Sequence, residues 1–394
     1  MLKGKTVVLG VTGSIAEYKI ANLARMLVKQ HCEVHVLMTQ NATNFINPIT
    51  FETLTKHKCL IDTFDRNFEF SVEHVALAKA ADVVMIAPAS ENVIGKIANG
   101  IADDMLTTTV MACPCKKIVS PAMNHNMFHN PIVQDNIEKL KHYGYEIVEP
   151  AHGMLANGDM GDGRMPDEEL LFEYIVKEIA FEKDMTGKKV LVTAGATVEA
   201  IDPVRFITNH SSGKMGFALA KNAMLRGADV TLVMGKCDSE PPVFVNTVKV
   251  QSAKDMYDAV IERADSMDII VKAAAVADYR PKNVSSEKVK KQDGNMSIEL
   301  ERTDDILKTL GERKNSQFIC GFSMETENML ENSRKKLEKK NCDMIVANNL
   351  KQDGAGFGGN TNIVTLITKD DEVQLEKMTK DEVAEKIFDF ILSR

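Results

Sequence analysis

Short apolar runs rich in valine and isoleucine alternate with longer helical patterns from one end of this chain to the other. That alternation constrains the fold more than any other feature. Continuous apolar strands have to be buried on both faces, and crossover helices are what cover them. The expected class is α/β, built on doubly wound parallel sheets. In the first half the pattern predicts strands at Thr6 to Val11, Glu33 to Met38, Asp82 to Ala87 and Lys117 to Ser120, with helices over Ala16 to Lys29 and Asn92 to Asn99. In the second half it predicts strands at Val190 to Thr193, Val230 to Met234, Ile269 to Ala274, Phe318 to Phe322, Met344 to Ala347 and Ile363 to Ile367. Helices are predicted there over Gly216 to Arg226, Ala253 to Ala264, Thr326 to Lys340 and Lys380 to Leu392.

A chain of 394 residues exceeds what one hydrophobic core usually serves, so two or three domains are expected. A charged stretch from Glu178 to Lys189 precedes a fresh strand, and it divides the chain into domains 1–184 and 185–394. The segments Lys3 to Ser14 (KGKTVVLGVTGS) and Thr186 to Thr197 (TGKKVLVTAGAT) each read as a polar entry, a buried strand and a glycine turn. The chain thus starts an α/β domain twice. Any two nucleotide-binding folds share such an opening, so this is not an internal repeat.

With 44% apolar and 26% charged residues, the chain is an ordinary globular protein rather than a disordered or fibrous one. A net charge of −8 lends no support to a nucleic-acid or anionic-membrane partner, and small anionic ligands would need local basic pockets. Seven scattered cysteines fit reduced thiols better than a disulfide framework. The opening apolar stretch is broken by glycines and has no cleavage site after it, so no signal peptide is expected. No run approaches the ~18 apolar residues of a membrane helix. A cytoplasmic location is the expectation.

Two polar clusters follow predicted strands in the first half. Thr12, Gly13, Ser14, Ile15 and Ala16 lead into a helix, where backbone N–H groups and two hydroxyls suit a phosphate. Pro88, Ala89, Ser90, Glu91 and Asn92 follow another strand, and ligands of open α/β sheets bind beyond the carboxyl ends of strands. Neither cluster is a G-x-G-x-x-G or Walker A motif; locally each also reads as a capped strand-to-helix turn. In the second half Asn209 to Gly216 (NHSSGKMG) precedes a helix without P-loop spacing, which disfavours a P-loop ATPase. Its small hydroxyl and glycine residues still suit a polyphosphate. Lysines at 288, 290 and 291, and again at 335, 336, 339 and 340, supply cations, although most such runs are solvated helix faces. Asp278 ends an apolar strand where a carboxylate could hold Mg²⁺ against phosphates, or simply cap a turn.

Among nine histidines, His74 stands beside Glu73 as a conceivable general base. His125 and His129 are four apart, the helical spacing of metal ligands, but Pro121, Asn124 and Pro131 predict a loop, so no zinc site is expected. The Cys113-Pro114-Cys115 pair lacks partner ligands and reads as small buried residues. No G-x-S-x-G elbow is present to anchor a hydrolase triad.

Taken in order, the motifs VTGSIAEYK (Val11 to Lys19), SVEHVAL around His74, PASENV (Pro88 to Val93), KIANGIADDML (Lys96 to Leu106), PAMNHNM (Pro121 to Met127) and GDGRMP (Gly161 to Pro166) resemble a known family. So do Val192 to Gly216, AAAVADYRP (Ala273 to Pro281), EKVKK (Glu287 to Lys291) and GFSMET (Gly321 to Thr326). The family is that of the bifunctional phosphopantothenoylcysteine decarboxylase/phosphopantothenate–cysteine ligases of coenzyme A biosynthesis, of the CTP-dependent bacterial type. For the first domain the resemblance implies a flavodoxin-like, FMN-dependent decarboxylase. Gly13, Ser14 and Ile15 would hold the flavin phosphate, Thr39 the ribityl chain, and Ser90, Asn92 and Ala122 would contact the flavin. His74 matches the family's catalytic histidine, and Asn124 the residue that binds the substrate carboxylate. Many members carry a cysteine in the flap before GxGRM as proton donor, whereas this chain has Asn157, which cannot act as an acid near neutral pH. Water or another group replaces it, the reaction stops at the oxidised enethiol, or the domain is weak. Retention of His74, Asn124 and the rest of the flap favours the first.

For the second, Rossmann-like domain the resemblance implies a ligase. Asn209 would stabilise the cytidylate step, Ser211 and Ser212 would lie beside the triphosphate, and Lys288 would offset phosphate charge. Nucleotide contacts would fall at Lys272, Ala273, Ala274, Asp278, Asp304, Asp305, Ile306, Leu307, Phe322, Lys336 and Lys340, with Asp278 also on Mg²⁺. Arg205 could pair with a substrate carboxylate or a neighbouring subunit. The implied partners are small molecules (4′-phosphopantothenate, cysteine, CTP and phosphopantothenoylcysteine) and further copies of the chain, as trimeric decarboxylase and dimeric ligase units that could group into a dodecamer. A non-catalytic flavin-binding regulator and an oxidative cysteine decarboxylase are the rival readings. Fusion to the ligase argues against the second.

Overall fold

The computed structural model describes residues 2–63, 73–156, 158–290, 296–325, 328–349 and 359–394. Contacts divide the chain into two units, Met1–Phe181 and Glu182–Arg394. The residues just after the boundary side with the second unit through their hydrogen bonds: Lys183 Nζ donates to the Leu225 carbonyl (2.7 Å) and Asp184 holds the buried Arg226 guanidinium (2.5 and 2.9 Å).

The first unit runs β1 (Thr6–Val11), α1 (Tyr18–Lys29), β2 (Glu33–Met38), α2 (Pro48–Thr55), α3 (Glu73–Ala80), β3 (Val83–Ala89), α4 (Glu91–Ala98) and α5 (Met105–Ala112). It continues with β4 (Lys116–Pro121), α6 (His125–Phe128), α7 (Pro131–His142), β5 (Glu146–Ile147), the hairpin β6 (Ala151–Met154) and β7 (Met160–Arg164), and α8 (Glu168–Ile179). Its sheet is parallel in the order β2-β1-β3-β4-β5, the flavodoxin-like arrangement whose order reverses between β1 and β3. Every residue of β3 is buried, as its unbroken apolar run requires. Helix α1 buries Ile20, Leu23, Ala24 and Leu27, a stripe at helical spacing facing the sheet.

The second unit runs β8 (Lys189–Ala194), β9 (Val198–Ala200), β10 (Phe206–Thr208), α9 (Lys214–Leu225), β11 (Asp229–Met234), β12 (Asn246–Lys249), α10 (Ala253–Ala264), β13 (Ile269–Lys272) and β14 (Tyr279–Pro281). There follow β15 (Leu300–Arg302), α11 (Ile306–Arg313), β16 (Phe318–Glu325), α12 (Met329–Lys339), β17 (Met344–Asn349), β18 (Thr361–Asn362), β19 (Val364–Ile367), β20 (Glu372–Gln374), β21 (Met378–Thr379) and α13 (Lys380–Leu392). Its main sheet has the order β12-β11-β8-β13-β16-β17-β19-β20, of which the first six strands are parallel in the Rossmann order. The strand pattern predicts a parallel sheet throughout, and the structure corrects this: β19 and β20 close it as antiparallel strands. Between those two strands Thr368 N–H reaches the Asp371 carbonyl (2.9 Å), and so tight a turn can only join antiparallel neighbours. Close approach of α9 to β8 depends on Gly216, where a Cβ would fall 2.5 Å from that of Ala194. Among the described residues no helix is long and apolar enough to cross a membrane.

Candidate functional site

Each main sheet has a cavity at the carboxyl ends of its parallel strands, in the first unit at the switch point between β1 and β3 and in the second beyond β13, and many of the candidate ligand-binding residues gather there. In the first unit, buried Thr12 ties the turns after β1 and β3 together: its hydroxyl donates to the Pro88 carbonyl (2.7 Å) and accepts the Ser90 N–H (2.8 Å). Gly13 lies so close to the turn after β2 that a Cβ would sit 3.1 Å from that of Asn41. Ser14 caps the first helical turn in a reciprocal box with Glu17, whose Oε1 accepts the Ser14 N–H (3.1 Å). Thr39 is held by its own N–H on the Val11 carbonyl (3.0 Å).

Two cavities open on these turns. One of about 510 Å³ is lined by Gly13, Ser14, Ile15, Ser90, Ala122 and Asn124, with Met123, Met127, Met154 and Leu155 as apolar walls. The other, of about 870 Å³, shares Gly13, Ser90 and Met127 and adds Thr39 and Asn92. All seven expected flavin residues and Asn124 therefore border one or both. Asn124 caps α6 by accepting the Asn126 N–H at Oδ1 (2.8 Å), which leaves its Nδ2 as the donor for an anion. The β7 strand is pressed against this turn at Gly163 (φ +113°), where a Cβ would come 2.3 Å from the Met123 carbonyl oxygen. His74 is half-buried on α3 and does not border either cavity, and Asn157 lies outside the described residues.

The residues fit a flavin: glycine permits close backbone approach at a helix start, and methionine and leucine walls suit a flat apolar ring. Three charged residues at or beside this site lie within the family motifs, yet the sequence alone assigns them no role. Glu17 is 1% exposed with no hydrogen-bond partner for Oε2, and burial pushes its carboxyl up to about 7 against the lowering effect of the Ser14 N–H. A glutamate one turn into an apolar-faced helix was the available signal. Lys19, also buried, donates to the Met165 and Pro166 carbonyls (3.3 Å each) and to Asp167 (2.6 Å), fastening α1 to the end of the hairpin. Arg164 lines the first cavity.

In the second unit, a cavity of about 570 Å³ is bordered by Lys272, Asp278, Asp304, Asp305, Ile306, Leu307, Lys336 and Lys340, eight of the expected nucleotide residues, and by Lys335 and Lys339. The α12 lysines thus face a cavity instead of forming only a solvated surface. Asp305 caps α11 by accepting the Lys308 N–H (2.9 Å) and pairs with Lys340, while Lys336 donates to the Phe322 carbonyl (2.9 Å). Lys272 is pushed down to about 8 by burial and then by Lys336, partly offset by Asp305 and Asp278. Such a crowd of ammonium groups is suited to a polyphosphate. Ala274 is fixed by its N–H on the Thr193 hydroxyl (3.0 Å), and Asn209 Nδ2 reaches the carbonyl of Ala275 (3.2 Å). Ala273, Asn209, Ser211, Ser212, Phe322 and Lys288 do not line the cavity.

Lys288 is exposed, yet its neighbour is clamped. The wholly buried Asp202 carboxylate accepts the Val289 N–H (3.1 Å) and the Arg205 guanidinium (2.5 and 3.0 Å), and Arg205 donates in turn to the Val289 carbonyl (2.7 Å). These bonds hold the Asp202 carboxyl well below the usual carboxylate range. The internal pairing accounts for Arg205 within this chain. Asp202 was legible only as an Asp-Pro turn former, a role it also fills by accepting the N–H groups of Val204 and Arg205 (2.8 Å each). One expectation fails outright: His125 and His129 are not on a loop. Asn124 acts as the cap of a genuine helical turn, so the two imidazoles meet edge to face with centroids 4.4 Å apart.

Comparison with known proteins matches residues 1–180 to the Flavoprotein family and residues 185–394 to the DNA/pantothenate metabolism flavoprotein C-terminal domain. The coenzyme A biosynthesis bifunctional protein CoaBC of Bacillus subtilis is 48% identical over 94% of this chain and 92% of its own length. That of Haemophilus influenzae is 40% identical over 100% of this chain and 98% of its own. A cysteine/cysteine sulfinic acid decarboxylase of an unknown prokaryotic organism is 42% identical over 88% of this chain and 99% of its own. With both family models matched in order and full-length relatives at this identity, the chain belongs to the CoaBC family of bifunctional coenzyme A biosynthesis proteins.

Proposed function

We infer that the chain ligates cysteine to 4′-phosphopantothenate with CTP and then decarboxylates the product to 4′-phosphopantetheine. The observation that carries this reading is the presence of two crevices of different chemistry on one chain, a largely apolar one around Asn124 and a cationic one around Lys272, Lys336 and Lys340.

In the second unit the phosphopantothenate carboxylate attacks the CTP α-phosphorus, forming an acyl cytidylate and releasing pyrophosphate. The neutral cysteine amine then attacks the acyl carbon and expels CMP, losing a proton as the amide forms. Lys272, Lys336 and Lys340 offset the charge that builds on the phosphates, and Asp278 is positioned to hold the Mg²⁺ that accompanies CTP. Lys288, steadied through Val289, is assigned to the same charge, and Asn209 to the cytidylate.

In the first unit the cavity residues would hold FMN, which supplies two-electron oxidation of the cysteinyl thiol and so makes loss of CO₂ possible. The Asn124 amide binds the departing carboxylate, and the methionine and leucine walls exclude water from it. His74 is the assigned base, and water the assigned donor for the proton that the Asn157 amide cannot supply. The family's oligomeric units and a cytoplasmic location, where seven unbridged cysteines stay reduced, complete the proposal.

The test supplies purified protein with phosphopantothenate, cysteine, CTP and Mg²⁺ under a mass readout. CMP, pyrophosphate and a product lighter than the ligated acid by CO₂ are expected. Absence of CMP would remove the ligase assignment; a product short of two further hydrogens would show that reduction stops at the enethiol. Loss of CO₂ from free cysteine in preference would favour the activity named for the cysteine decarboxylase relative.

A further inference from the structure

The hairpin β6–β7 and the α6 turn meet at a cluster that the proposed chemistry does not use. The His129 N–H donates to the His125 carbonyl (3.0 Å), so the two residues stand at the start and the C-cap of one helical turn, with ring centroids 4.4 Å apart. Asp162, on β7, reaches both: its Oδ2 is 2.9 Å from His129 Nε2, and its backbone N–H donates to His125 Nδ1 (3.1 Å). The second carboxylate oxygen lies 2.9 Å from Nδ1 of His152, on β6. The residue before Asp162 must be glycine for this approach, since a Cβ at Gly161 would stand 2.8 Å from His125 Nδ1. One donor atom each from His125, His129 and Asp162 falls within 4.8 Å of the others.

Tetrahedral coordination at ~2.0–2.1 Å bonds places ligand atoms about 3.3 Å apart, so a modest contraction of the cluster suffices. Two imidazoles at helical i, i+4 spacing and one carboxylate form a donor set for zinc and its first-row neighbours, and a poor one for Mg²⁺, which takes oxygen. We propose that His125, His129 and Asp162 bind a divalent transition-metal ion of the Zn²⁺ class, fastening the β6–β7 hairpin to the turn that carries Asn124. His125 coordinates through Nδ1 in place of the Asp162 N–H bond, and the ion replaces the direct His129–Asp162 contact. His152 stays on the outer carboxylate oxygen and orients it. Because Asn124 directly precedes His125, and Met154 of the hairpin walls the same cavity as Asn124, the ion sets how firmly the hairpin closes that cavity.

The experiment uses the full-length, flavin-loaded protein stripped with chelator and titrated with Zn²⁺ by calorimetry, beside H129N, D162N and a C113S/C115S control. One tight Zn²⁺ per chain is expected, weakened by at least about 100-fold in H129N and in D162N, since each removes a direct ligand where loss of an outer-shell partner alone costs about 10–100-fold, and unchanged in the cysteine control. Limited proteolysis within the hairpin should slow on adding Zn²⁺ to the unaltered protein and not to H129N. Retention of the flavin spectrum shows that each variant is folded; H125N substitutes for any that loses it. The proposal is overturned by absence of Zn²⁺ binding at ~100 µM, by an affinity in both ligand variants unchanged from the parent, or by loss of binding in the cysteine control.

Discussion

The two crevices of this protein both open at the carboxyl ends of parallel strands and differ in their chemistry. Around the first unit's crevice the walls are mostly methionine, leucine and glycine, with Asn124 as a neutral donor, Lys19 and Arg164 at the border, and the buried Glu17 carboxyl in the helical turn beside it. Around the second, Lys272, Lys335, Lys336, Lys339 and Lys340 converge. Related parallel topologies can therefore suit a flat apolar ring in one case and an anionic ligand in the other, because a parallel sheet supplies only the position of the crevice, and the loops and helices supply its charge.

The sharpest way to break this comparison is at the cations. Replacing Lys336 by Met is expected to lower ligase kcat/KM about 10³-fold while decarboxylation of supplied phosphopantothenoylcysteine stays unchanged. Equal losses in both half-reactions, measured separately, would show that the crevices are not chemically independent.

Next comes the buried carboxyl of the first crevice. Its folded value, about 7, exceeds the ordinary 4.5, so the folded state holds the extra proton between those values. Stability of the first unit should therefore fall as pH rises from about 4.5 to about 7, by up to ~3 kcal/mol, with no further loss above. Urea unfolding across that range should show the slope in the parent and its absence in Glu17→Gln. A parent without the slope would place Glu17 in water.

Third, Asp202→Asn removes the charge that holds Arg205 and Val289. Ligase kcat should fall about 10²-fold, with a smaller change in KM for CTP, and Asp202→Glu should recover part of it. A change in KM alone would mean that the clamp does not position Lys288.

The smallest effect concerns Lys272, held near 8. Raising pH through 8 neutralises it, so KM for CTP should rise several-fold from pH 7 to 9, and Lys272→Arg, charged throughout, should abolish that rise. An identical pH profile in the variant would assign the titration elsewhere.

Much of the fold was legible. The runs TVVLGV and EVHVLM form strands with the expected bounds, as AKDMYDAVIERA forms the expected helix, because their periodicity is local and unambiguous. The antiparallel edge at β19 and β20 was not, since strand direction depends on how a connection returns. Of the candidate sites, Gly13, Ser14, Ser90 and Asn124 were readable from turn chemistry and family motifs. His125 and His129 were misread because the proline at 131 starts the next helix instead of breaking this one.

By itself, then, the sequence determined the strand and helix alternation, the two openings and the motif set of the CoaBC family, all of which live within short windows of residues. Tertiary structure alone decided that Asp202 reaches Val289 across 87 positions, that Lys272 meets Lys336, and that Asp162 reaches His129 across 33. These pairings join residues far apart in the chain, and only packing of the sheets and helices fixes such distances, because no local pattern encodes them.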